Sequence, residues 1–257
     1  MPLIATEAIV LHAFNYLESS RIVRLATRDA GLVSVVARGA RRPKSAFGAL
    51  DLFTHGVAQI SLRPERDLHT LTGFDVGNSR ASLGTALPRF AAAAMLTELV
   101  LRFGHEESGC DLFVPLANGL DLLQNGAADD AVDVALRAAW QLVGSLGFTP
   151  TLDDCAMCHA AIAADAAALF DLRAGGVLCA DCGQPAAGRR TLPPSARDAI
   201  RVWLAGEANG LGDHAIRKAH QRLLREFLAE HLTDGRPLTA FSAWEAFSPR
   251  TADSATP

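Results

Sequence analysis

The chain has 257 residues and a mass of 27.2 kDa, with 49% hydrophobic and 20% charged residues; this mix excludes a disordered or fibrous chain and suits one large domain or two to three small ones. Its longest uninterrupted apolar run, Phe90 to Leu96, is far below the ~20 residues of a membrane helix, and Met1 to Thr6 carries no basic residue, so neither a membrane span nor a signal peptide is expected. The net charge of −4 is divided into +3 over residues 1–80 and −7 over residues 81–257, and within Ser19 to Phe47 seven cations are opposed only by Asp29, so that segment can attract a polyanion although the whole chain is acidic.

Period-two or short apolar runs at 7–12, 20–27, 31–37, 52–62 and 68–75 predict five strands. Asp29-Ala30-Gly31 has the composition of a hairpin turn, and Arg63-Pro64-Glu65-Arg66 does similar work between the last two runs. Five short strands in about 75 residues, with a long polar connection in the middle, suit a small closed barrel of the OB type; an SH3-like barrel would look much the same. The periodicity then turns helical, at 87–103, 112–123, 131–146, 194–204 and 213–232. The expected class is α+β: a five-stranded barrel over 1–80, a helical domain in two parts over 81–152 and 189–247, a module at 153–188 between them, and a disordered tail over 248–257.

That module holds the strongest signal in the chain. Cys155-Ala-Met-Cys158 and Cys179-Ala-Asp-Cys182 are separated by twenty residues, within the spacing of a four-thiolate zinc site. Each pair places two sulfurs on one knuckle turn, and Gly175-Gly176 lets the connection fold back, so one structural zinc ion is expected on Cys155, Cys158, Cys179 and Cys182. Four thiolates fill a tetrahedral shell and leave no position for water. A rival reading starts from His105-Glu106-Glu107, because zinc deaminases combine H-x-E with P-C-x-x-C; here Asp154 rather than proline precedes Cys155, and a deaminase does not need the second pair. His159 is read as a solvent-facing neighbour of the knuckle, and Cys110 as a small buried apolar residue.

The positive charge is concentrated too. Between the third and fourth runs, Arg38, Arg41, Arg42 and Lys44 give four cations in seven positions, and Arg21 and Arg24 precede them. Arginines in a glycine-bearing loop can lie along a phosphate backbone. Phe14, Tyr16 and Phe47 fall near the barrel's loops, where each can stack on a base or simply fill the core. Arg38, Arg41, Arg42, Lys44, Arg21, Arg24, Tyr16 and Phe47 are therefore the candidate DNA contacts.

Several stretches resemble the bacterial RecO family of DNA repair proteins: Ala8-Ile-Val-Leu, Tyr16-Leu-Glu-Ser-Ser20, the long run from Thr27 to Ser45, Glu98-Leu, Leu112-Phe113, Leu146-Gly-Phe, Gly175-Gly-Val-Leu-Cys with the cysteine pairs, and Arg236-Pro-Leu238. His159 stands where that family often has glycine. The resemblance covers nearly the whole chain and implies an OB domain that binds single- and double-stranded DNA, a helical domain and a zinc module. It further implies annealing of complementary strands, and a non-enzymatic mediator role with RecR in replacing single-strand-binding protein by RecA, in the cytoplasm at the bacterial nucleoid. It also implies a docking site on the helical domain for the acidic tail of single-strand-binding protein. Arg137, beside Val134, Leu136, Trp140 and Val143, is the candidate there; otherwise it is a surface arginine paired with Asp133, and the basic helix with Arg217, Lys218 and Arg222 takes its place. Two alternatives are a zinc-dependent nucleic-acid deaminase or hydrolase using His105 and Glu107, and an RNA-binding or transcription accessory factor.

Overall fold

The computed structural model describes residues 2–42, 45, 47–63, 66–105, 111–184, 189–232 and 236–247. Lys44, Glu107, Cys110 and the expected tail at 248–257 lie outside them. Five strands, β1 (Leu3–Tyr16), β2 (Ser20–Thr27), β3 (Gly31–Ala37), β4 (His55–Ser61) and β5 (Leu68–Asn78), close into a barrel in the order β1-β2-β3-β5-β4. The β3–β5 pair is parallel and the others antiparallel, which is the OB connectivity. Gly31, at φ +63, closes the hairpin signalled by Asp29-Ala30-Gly31.

β1 is more than twice as long as its predicted run. Its first part pairs with β4 and its second with β2, with a bulge between Val10 and His12. Such a bulge adds one residue to one side of the ladder and bends the strand. It also resets which way each side chain points. Ala8 and Val10 face the barrel interior with Val23, Leu25, Val35 and Ile60, while Ile9 and Leu11 face outward against the helices. Unbroken alternation would carry His12, Phe14 and Tyr16 inward. The extra residue turns all three outward, where they are exposed.

The helices are α1 (Leu87–Phe103), α2 (Phe113–Asn125), α3 (Ala131–Ser145), α4 (Pro194–Leu204), α5 (His214–His231) and α6 (Thr239–Phe247). None of them is long and apolar enough to cross a membrane. Their apolar faces form one cluster that also takes in Ile9, Leu11, Ala26, Leu32 and Phe53 from the barrel's outside; each such leucine, isoleucine or phenylalanine contributes roughly 1.5–3 kcal/mol when fully buried. At the seam Arg80 is buried and donates to the Asp121 carboxylate (2.8 Å) and to the Phe53 carbonyl (2.9 Å). Arg80→Ala breaks a charged bond and strands that carbonyl, so a loss of about 2–3 kcal/mol is expected in urea unfolding.

α6 has no counterpart in the sequence reading. Its N-terminus is capped from α1, because the Glu98 carboxylate accepts from the amides of Thr239, Ala240 and Phe241. Phe241 and Trp244 are buried.

Between α3 and α4, a small sheet of order β7-β6-β8 is built from β6 (Ala168–Asp171), β7 (Gly176–Leu178) and β8 (Arg189–Leu192). It reaches Leu192, beyond the expected edge of the module at 188. β8 is tied to α5 through Glu226, which accepts from Arg190 (3.0 and 2.5 Å) and from Arg222 (3.0 Å). The Arg190 hydrogen bonds, aided by Arg222 and opposed by burial, hold the Glu226 carboxyl below its usual range. That stabilisation is present above the ordinary glutamate pKa of about 4.3 and is lost as pH falls through the lowered folded value. Glu226→Gln is therefore expected to flatten the acid limb of a stability profile below about pH 4.5, measured by urea midpoints.

Candidate nucleic-acid interface and metal centre

The outward-turned end of β1 meets three loops. A groove of about 480 Å³ opens there, lined by Tyr16, Leu17, Ser19 and Ser20 of the β1–β2 hairpin, Val36, Arg38, Gly39 and Arg42 at the end of β3, and Arg63 and Leu68 between β4 and β5. The guanidiniums of Arg38 and Arg42 are exposed and have no partner among the described residues. Arg63 Nε is buried and has no hydrogen bond among the described residues. Gly39, at φ +77, sits against the Arg42 stem and makes the sharp turn that brings Arg38 and Arg42 to one side.

The remaining expected contacts are placed differently from one another. Arg24 lies on the same outer face, opposite His12 and Ser34. Arg41 is exposed, but its guanidinium donates to the hairpin carbonyls of Leu17 and Glu18, so it braces the β1–β2 loop. Arg21 reaches Asp51 (3.8 Å) and the Leu50 carbonyl away from the groove. Phe47 is partly buried against the barrel's inner cluster, the core-filling alternative for that ring. In the sequence Arg63 signals only a turn, since nothing local shows that it lines one groove with Arg38.

The four sulfurs of Cys155, Cys158, Cys179 and Cys182 lie within 4.8 Å of one another, and among the described residues no other side chain joins them. Two matching knuckles place them. His159 N–H donates to the Cys155 carbonyl (2.9 Å) and Gly183 N–H to that of Cys179 (2.7 Å), while Ala156 N–H to the Val177 carbonyl (2.8 Å) lays the first knuckle on β7. Gly176 leaves no room for a Cβ, which would stand 2.5 Å from the Thr151 carbonyl. Cys158 and Cys179 are 3.6 Å apart, too far for a disulfide at ~2.05 Å and close to the ~3.8 Å edge of a tetrahedron with 2.3 Å zinc–sulfur bonds. Hydrogen bonds from the Cys179 and Cys158 amides hold the Cys155 thiol down at about 6, while the sulfurs of Cys158 and Cys179 push Cys182 up to about 12. Four sulfurs so crowded suit a shared cation, and the donor set fits zinc. His159 is exposed with φ +61, a left-handed conformation that glycine adopts without strain. His159→Gly is expected to raise the melting temperature slightly, because roughly 1 kcal/mol of backbone strain is relieved.

On the helical domain, Arg137 is half-buried on α3, and the Asp133 expected to pair with it is engaged elsewhere. Beside Arg137, Leu136, Trp140 and Val143 are fully buried and Val134 is half-buried. Asp133, its expected pair, instead takes a two-bonded contact from Arg217 (3.0 and 2.9 Å) and accepts from the Leu211 amide. A cavity of about 540 Å³ does open between β8, α4 and α5, with Leu192, Ile216 and Leu223 as apolar wall and Arg190, Lys218 and Arg222 as cations.

A closed OB barrel with a basic groove, packed on a helical domain that carries a four-thiol knuckle, is the architecture these residues define. Residues 1–80 match the family description Recombination protein O N terminal, and residues 84–239 match Recombination protein O C terminal. The chain is 35% identical over 244 residues to the DNA repair protein RecO of Anaeromyxobacter sp. (strain Fw109-5), covering 90% of this chain and 91% of that one. It is 34% identical over 235 residues to the DNA repair protein RecO of Symbiobacterium thermophilum, covering 90% and 88%. The chain belongs to the RecO family.

Proposed function

We propose that this chain is a DNA repair mediator that binds DNA through the barrel groove, anneals complementary strands and, with RecR, helps replace single-strand-binding protein by RecA. The convergence of Tyr16, Arg38, Arg42 and Arg63 on one open groove carries this reading. Cations without protein partners neutralise phosphates, and an exposed ring accepts a base. Zinc on the four cysteines would stabilise the knuckles and hold no reacting water, so the protein acts without catalysis. The deaminase alternative has little support, because His105 is not part of the cysteine cluster. Work at the nucleoid follows from the same reading.

For the acidic tail of single-strand-binding protein, the β8–α4–α5 cavity, an apolar slot rimmed by cations, is a candidate site beside that at Arg137. Strand annealing on DNA coated with single-strand-binding protein, with and without RecR, tests the whole proposal. Annealing of bare strands, and RecR-dependent handling of coated ones, is the expected result. A protein that neither binds nor anneals DNA would sink it.

A further inference from the structure

We infer that His12, Phe14 and Tyr16 form a stacking track for unpaired bases along β1, and that this track, rather than the cations, gives the barrel a preference for single over double strands. The inference rests on the DNA-binding reading above and adds its strand selectivity.

The β1 bulge puts the three side chains at alternate positions on one outer face. Phe14 is 44% and Tyr16 40% exposed, and the His12 and Phe14 rings already lie 5.6 Å apart at 43°. Across the sheet Phe14 pairs with Ile22 and Ile22 with Val36, an apolar floor beside the rings. Arg24 lies opposite His12, and Arg38, Arg42 and Arg63 border the groove beyond Tyr16. A single strand laid along this face meets rings on one flank and cations on the other.

The two flanks read different things. Every nucleic acid presents phosphates, so the guanidiniums attract both forms. Only an unpaired base has a free face, and stacking on an aromatic ring is indifferent to base identity. Because rings take the faces and arginines take the phosphates, the pairing edges stay open to a complementary strand, as annealing requires.

The test compares the full chain with Phe14→Ala, Phe14→Leu, Phe14→Trp, Tyr16→Ala and the double Arg38→Ala/Arg42→Ala variant, on oligo-dT carrying one 2-aminopurine and on a duplex of equal length at one salt concentration. Loss of the Phe14 or Tyr16 ring is expected to weaken single-strand binding roughly 5- to 150-fold, to relieve 2-aminopurine quenching, and to leave duplex affinity within about twofold. Phe14→Trp should restore both single-strand readouts, and the double arginine variant should weaken both DNA forms. Equal losses on both forms for the ring variants, or wild-type affinity and quenching without the Phe14 ring, would overturn the track while leaving the DNA-binding reading intact. A wild-type chain that binds neither DNA overturns both.

Discussion

Purified protein is expected to carry one zinc ion per chain, and a Cys179→Ser protein to carry almost none. Cys179 follows β7 directly and opens the second knuckle, and its sulfur is within 4.8 Å of the other three. Replacing it leaves three sulfurs and an incomplete shell. Binding free energies of structural zinc are on the order of 10 kcal/mol, so the expected loss is several kcal/mol and includes release of both knuckles. The damage should spread, because the module is fastened to the helices by Asp153 with Arg201 (2.5 Å), by the Ala163 carbonyl with Arg197 (2.5 Å), and by the Leu172 carbonyl with His231 (2.7 Å). Metal analysis, thermal melting and protease sensitivity within residues 159–167 check this. Full metal and full stability in Cys179→Ser would end the claim.

The triple variant Arg38→Ala/Arg42→Ala/Arg63→Ala is expected to flatten the salt dependence of single-strand binding. Each phosphate contact contributes about −0.7 to the log–log slope, so three removed contacts flatten it by about 2.1. Between 50 and 200 mM salt that is roughly a 20-fold smaller drop in affinity. Arg41→Ala is the comparison: its guanidinium is engaged with the Leu17 and Glu18 carbonyls, so it should change hairpin stability more than slope. A triple variant with the wild-type slope would show that the groove is solvated and does not hold DNA.

The five strands, the four first-predicted helices and α5 were legible because their signals are local: period-two runs, Gly31 in its turn, Pro194 opening α4, Gly104 closing α1. The cysteine cluster was legible for the same reason, as spacing alone pairs two knuckles. What escaped depends on distant parts of the chain. The bulge lies inside the run Ala8-Ile-Val-Leu-His-Ala-Phe14, whose apolar composition gives no sign of where parity changes. Arg63 joins Arg38 only after β5 pairs with β3. In the sequence Asp133 faces Arg137 one turn away, but Arg217, 84 residues on, takes its carboxylate. The tail of an i,i+4 argument is short: such a pair contributes a few tenths of a kcal/mol, and a partly buried two-bonded arginine outcompetes it.

The Glu98 cap sets a timetable for the chain as it leaves the ribosome. Glu98 and the Thr239 amide are 141 residues apart, and translation at 5–20 residues per second needs roughly 7–28 s to cover that distance. Throughout that interval the face of α1 that receives Phe241 and Trp244 has no cover, although the barrel has already been synthesised. Nascent chains stalled before Thr239 should therefore be bound by chaperones at α1 and cleared by proteases, whereas the barrel they carry can already be folded.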